Sequence, residues 1–164
     1  MRTFDEALRE LAAMAGADAQ PAHDDEHVRW TLYEASLPDP ERRGVLQDAL
    51  RGEANAPLVS AVVTKALELV PDGERRQWVD LLPPGPLRDF ARVRATELGI
   101  WESLAAGERP VDGPAEIDAW SRWLQLRIAE QLDSVRLLEE LSQAGATKRI
   151  RRSARERLRL LRAS

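Results

Sequence analysis

Two histidines stand four residues apart in QPAHDDEHVRW, residues 20–30, with three carboxylates between them. On a formed helical turn that spacing brings two imidazoles onto one face, where they can share a metal ion. The neighbouring residues argue for something simpler. Pro21 lies two positions before His23, and Asp24 is the kind of residue that caps a helix by accepting hydrogen bonds from first-turn amides. A helix starting at Asp24 leaves His23 outside it and turned away from His27, and places the carboxylates where the helix dipole favours them. The chain has no cysteine and no third histidine, so further ligands would have to be carboxylates. The segment is read as a helix start, and neither a metal nor any other cofactor is expected.

The second constellation is basic. Residues 146–164, ATKRIRRSARERLRLLRAS, carry eight Lys or Arg and one Glu, whereas the whole chain has a net charge of −4. At about 100° per residue, Ile150, Ala154, Leu158 and Leu161 share one helical face. Lys148, Arg152, Arg155, Arg159 and Arg162 follow on the other side at 4-3-4-3 spacing. Such a helix docks by its apolar stripe and offers a row of five cations to an acidic protein, to nucleic-acid phosphates or to an anionic lipid surface. The competing expectation is a solvated terminal helix whose arginines pair with the acidic remainder of the chain. Arg157 falls near the apolar face and is expected to pair with a carboxylate or to cap a helix end. No aromatic residues alternate with the arginines, which disfavours single-strand binding.

Five tryptophans stand against one tyrosine and two phenylalanines. Trp120, Leu124, Ile128, Val135 and Leu138 form an apolar stripe if 114–143 is one long helix. Trp123 lies beside that stripe and is the tryptophan expected at a partner surface. The phosphate-cradling and nucleophile motifs G-x-x-x-x-G-K-[ST], G-x-G-x-x-G and G-x-S-x-G are absent. No catalytic residues are assigned and no enzyme activity is expected; carboxylates gathered from separate helices are the one enzymatic alternative.

These side chains must be held by helices. Ala, Leu, Arg and Glu dominate, strand signals are nearly missing, and Pro and Gly fall between periodic runs. The spacing predicts helices at about 3–15, 24–36, 39–51, 56–70, 72–82, 86–98, 99–106, 114–143 and 146–162, with neighbours packed antiparallel across short connections. A chain of 164 residues is expected to make one all-α domain: helix pairs over 1–107, a loop at 108–114, then a long helix and the basic helix over 115–164. The amphipathic N-terminus lacks the pattern of a secretory signal, and no apolar run reaches the roughly 20 residues that span a bilayer. A cytoplasmic location is the expectation.

An internal similarity sharpens this picture. APLVSAVVTKALEL (56–69) aligns with GPLRDFARVRATEL (85–98), matching Pro57 with Pro86, Leu58 with Leu87, Ala66 with Ala95 and Leu69 with Leu98. Glu-Arg-Arg recurs in the helices before them, and Ile150, Ala154, Leu158 and Leu161 fit the same register. Leu87-Arg88 with Ala91, and Ile150-Arg151 with Ala154, resemble the second helix of a HEAT-type (armadillo-like) α-helical repeat; Leu58-Val59 lacks the Arg. The resemblance spans roughly half to two thirds of the chain and breaks at IWESLAAGERPVDGPAEIDAWSRW. It implies a short curved stack of helix pairs, an α-α superhelix or irregular bundle, with a concave face for partners. The functional expectation is a non-enzymatic module that binds a protein or peptide through one helical face. The basic helix would then supply electrostatic attraction through Lys148, Arg152, Arg155, Arg159 and Arg162, with Trp123 as an aromatic contact. The alternative is a nucleic-acid-binding protein using the same arginines.

Overall fold

A computed structural model describes residues 2–111 and 113–163, apart from the side chains of Pro21 and His23. Among the described residues the regular structure is all α-helical, in eleven helices. They are α1 (Phe4–Met14), α2 (Gln20–Asp24), α3 (Glu26–Ser36), α4 (Pro40–Gly52), α5 (Ala56–Leu69) and α6 (Asp72–Val79). There follow α7 (Pro86–Ala105), α8 (Pro114–Ala119), α9 (Arg122–Gln131), α10 (Val135–Ala144) and α11 (Lys148–Ala163). None of them is long and apolar enough to cross a membrane. The chain gathers into two compact units, residues 1–96 and residues 97–164, and the division falls inside α7.

The first unit is organised by α5. Asn55 caps it, accepting from the amide of Leu58 at 3.0 Å. Leu58, Val59, Val62, Val63, Ala66 and Leu67 are all buried, so this helix is apolar around much of its circumference and packs against both α3 and α6. Helix α1 lies on α4 and starts with a capping box: Thr3 Oγ1 accepts from the amide of Glu6, whose carboxylate accepts from the amide of Thr3. Those hydrogen bonds hold the Glu6 carboxyl below its usual pKa. Gly52 makes the α1–α4 approach possible, because a Cβ there would meet Phe4 Cβ at 2.6 Å. Next to it, Glu53 accepts from Arg29 Nε at 2.8 Å and from the Tyr33 hydroxyl at 3.2 Å. Burial, then the Glu53 carboxylate, pushes the Tyr33 phenol well above its ordinary pKa.

The second unit is a three-helix core of α9, α10 and α11, which pack on one another. Trp120, Leu124, Ile128, Leu138, Leu141, Ile150, Ala154 and Leu158 fill it, joined by Leu104 and Ile117. Inside it, Glu97 is 6% exposed and accepts from both the amide and the hydroxyl of Ser121 at 2.8 Å.

Three expectations need correction. First, the cap of the HDDEH segment is Asp25, not Asp24: Asp25 Oδ1 accepts from the amide of His27 at 2.7 Å and from that of Val28 at 3.4 Å. Asp24 instead ends α2, which starts where Asp18 accepts from the amide of Gln20, with Pro21 tolerated in the first turn. His23 therefore belongs to a short preceding helix, and the direction of its side chain lies outside the described residues.

Second, the predicted helices 86–98 and 99–106 are one. Gly99 lowers helix propensity by only about 1 kcal/mol and removes no backbone donor, so packing carries the helix through it. Third, 114–143 is three helices. Trp120 turns extended and Ser121 caps α9 through the amide of Leu124; Leu132 turns extended and Ser134 stands at the cap position of α10. The broken helix leaves Val135 exposed, whereas the other four members of the predicted stripe are buried.

Candidate functional site

Helix α11 has the polarity that its sequence dictates. Ile150, Ala154 and Leu158 are buried, and Lys148, Arg152, Arg155, Arg159 and Arg162 are exposed. Thr147 caps it by accepting from the amide of Ile150 at 3.2 Å. Two interior features seat it. A Cβ on Gly145 would approach Leu141 O to 2.5 Å and Ile150 Cγ2 to 2.7 Å, so only glycine lets the chain turn so close to α10. The buried Gln125 side chain donates to the carbonyls of Ile117 and Trp120 at 3.1 and 3.2 Å and accepts from the amide of Ala146 at 2.9 Å. One amide thus ties the end of α8 to the entry of α11.

The five predicted cations share one side of this helix but not one environment. Arg152 pairs with Glu156 one turn on at 2.8 Å, with its side chain still 80% exposed, and that contact raises the guanidinium pKa further. Arg155 donates to the carbonyl of Ser142 at 3.1 Å. Arg162, 65% exposed, meets Glu139 of α10 at 2.8 Å. Lys148 and Arg159 are exposed and make no ion pair among the described residues. Exposed pairs of this kind are worth only about 0–1 kcal/mol, so an incoming anion displaces them readily.

The remaining arginines of α11 lie off this row and have partners of their own. Arg157 meets Asp133 at 2.6 and 2.9 Å, as its place near the apolar face predicts. Arg149 pairs with Glu130 at 3.1 Å, and Arg151 donates to the carbonyl of Gly145 at 2.5 Å.

Trp123 is half-buried against the core of the second unit rather than standing free on its surface. The Arg127 guanidinium lies 5.2 Å from its ring centre and 5.2 Å from that of Trp101, a cation between two indoles. Trp123 is thus part of a Trp–Arg–Trp cluster and remains partly exposed. Trp78 and Trp120 are buried, and Trp30 carries the Lys65 ammonium 5.0 Å over its ring.

His27 is exposed and lines a shallow groove with Asp25, Glu26, Trp30 and Leu58. Among the described residues no three His, Asp or Glu side chains converge as metal ligands would.

A feature that sequence reasoning missed lies in the first unit. Arg75, Arg76, Arg88 and Arg92 line one groove with Asp72 and Asp80. GERRQW and PLRDFARVR suggest only a repeat when aligned; the i, i+4 spacing of Arg88 and Arg92 was the signal for a shared cationic face.

No protein-family model, curated protein or solved structure matches this chain significantly.

Proposed function

We propose that the protein is a non-enzymatic interaction module whose α11 meets an acidic protein or peptide. One observation carries this: the helix is seated by its apolar face, so the opposite row, Lys148 to Arg162, is held out in a fixed order. The row runs about 21 Å along the helix axis at 1.5 Å per residue. A preformed row of this length captures carboxylates without ordering its own backbone, and its field speeds encounter with an acidic partner. Trp123, partly exposed, supplies an aromatic contact in the same unit.

The resemblance to HEAT-type repeats supports a scaffold role. Ala66, Ala91, Leu98, Ile150, Ala154 and Leu158 are buried as the proposed register requires; Ala95 and Leu161 are only partly buried, and Leu69 and Leu87 are exposed. A cytoplasmic location belongs to the same proposal.

The second reading is nucleic-acid binding, favoured by the exposure of the whole row over a span that covers several phosphates. Protein binding is preferred because Arg152 and Arg162 already pair with Glu156 and Glu139, which lowers the row's net charge below what a polyphosphate backbone favours. An affinity pull-down with and without nuclease separates the two. Retention of a partner after nuclease, and its loss on Arg152→Glu, Arg155→Glu and Arg159→Glu together, is the expected result. A partner released by nuclease favours nucleic acid. A partner indifferent to the triple substitution removes α11 from the interface.

A further inference from the structure

The first unit is acidic: residues 1–96 carry twelve Lys or Arg against seventeen Asp or Glu. Four of those twelve cations nevertheless line one groove of about 470 Å³, formed by α6 and the first turns of α7. Asp72 and Asp80 in the same lining offset two of the four charges, so the concavity keeps a positive excess inside an acidic unit.

Each arginine has a distinct setting. Arg75 is the anchor: its side chain is 3% exposed, Nε donates to the carbonyl of Leu67 at 2.9 Å, and Nη1 reaches Asp72 at 3.3 Å. Arg88 is mostly buried and pairs with Asp80. Arg76 also reaches Asp80, at 3.8 Å, but its side chain is 92% exposed. Arg92 pairs at 3.0 Å with Asp89, which stands outside the groove, and both are largely exposed. The two exposed pairs are weak, so Arg76 and Arg92 swing to a ligand at little cost. Asp80 is the built-in competitor, a carboxylate already resting on two of the cations.

Val79, Ala95 and Thr96 complete the lining. Val79 and Ala95 are the apolar side chains of this lining. The volume falls in the range of small-molecule sites and exceeds what one bare phosphate group fills.

We propose that this groove binds a small phosphorylated organic molecule. Its phosphate sits among Arg76, Arg88 and Arg92, and its apolar part lies along Val79 and Ala95. Guanidinium forks match phosphate oxygens in pairs, and three of them around one dianion is an arrangement that a single carboxylate satisfies less well. The site lies within the first unit and does not depend on any role of α11.

The test is titration calorimetry at low salt on the full chain, with phenyl phosphate, inorganic phosphate and citrate as probes. Saturable binding of phenyl phosphate, tighter than that of inorganic phosphate and of citrate, is the expected result. Arg76→Gln with Arg92→Gln changes only exposed side chains, so folding is preserved and can be checked by thermal melting. Affinity should fall about tenfold for each guanidinium removed, the factor that a charge-assisted hydrogen bond supplies. Asp80→Asn should move affinity the other way, raising it several-fold by removing the internal competitor. Arg152→Gln with Arg159→Gln, on α11 of the second unit, should leave it unchanged. No saturable phenyl phosphate binding up to ~10 mM, a concentration that still reveals affinities of a few kcal/mol, overturns the proposal. So does a preference for citrate, or phenyl phosphate binding that the Arg76/Arg92 variant leaves intact.

Discussion

The two arginine groups of this chain show how shape decides what a charge is for. In the first unit Arg75, Arg76, Arg88 and Arg92 converge on one concavity from two helices, and Asp80 sits among them. In the second unit Lys148, Arg152, Arg155, Arg159 and Arg162 are strung along one exposed helix, and their partners lie to the side or on the next turn. A convergent group sums its field at one point and suits a compact anion. A linear group spreads the same charge over about 21 Å and suits an extended acidic surface. Composition alone describes both as basic; the backbone distinguishes them.

The most severe way to break the comparison is to unseat the linear row. Ile150 is buried at the start of the apolar face of α11, so Ile150→Ala should cost about 2–5 kcal/mol in the stability of the second unit. Chemical denaturation followed by tryptophan emission reads this loss. Phenyl phosphate affinity measured below the transition should stay at its wild-type value. Loss of both functions together would mean that the two arginine groups are not independent.

Charge reversal sharpens the contrast without touching the core. Arg152→Glu, Arg155→Glu and Arg159→Glu together should weaken an acidic partner about 100-fold at low salt, through the association rate above all. Surface plasmon resonance separates the two rates. The expected defect shrinks toward nothing at ~1 M salt, where the screening length is about 3 Å.

A milder test moves α11 rather than recharging it. Gly145→Ala inserts a methyl group where Leu141 O and Ile150 Cγ2 already press close, and should cost about 1–3 kcal/mol of overpacking strain. Thermal melting shows the cost. Partner affinity should fall less than under charge reversal, because the cations remain.

The smallest effect separates the units by pH. The single tyrosine lies in the first unit, and its folded pKa is raised by burial and by Glu53. A neutral phenol favoured by the fold contributes stability that is complete below the unfolded value near 10, and is lost as pH rises above it. Absorbance at the phenolate band should therefore stay flat through pH ~10 and rise only as the first unit opens. An ordinary titration midpoint in the folded protein would place Tyr33 in water.

Much of this was legible in the sequence, because helical periodicity is a local property. The apolar face of α11, its outward cations and the pairing of Arg157 follow from spacing alone. The breaks in 114–143 were less legible. Ser121 and Ser134 are capping residues in plain view, yet an apolar stripe runs through both, and the buried Glu97 carboxylate that holds Ser121 comes from a different helix. Asp24 and Asp25 are equivalent caps by type, and the choice between them was made by α2, which is too short to leave a periodic signal. The groove arginines were hidden for another reason. Concavity depends on which helices meet, and Arg75 and Arg92 are brought together by contacts that no spacing encodes.

Gln125 carries a wider implication. Its side chain is buried, yet through Ala146 it governs where the final helix enters. Whatever that helix recognises is written in side chains the interior does not consult, while its aim is set by an interior residue no ligand touches. Specificity is therefore free to drift by surface substitution with the scaffold unchanged. A Gln125→Leu variant would keep every outward side chain and lose the address to which they are delivered.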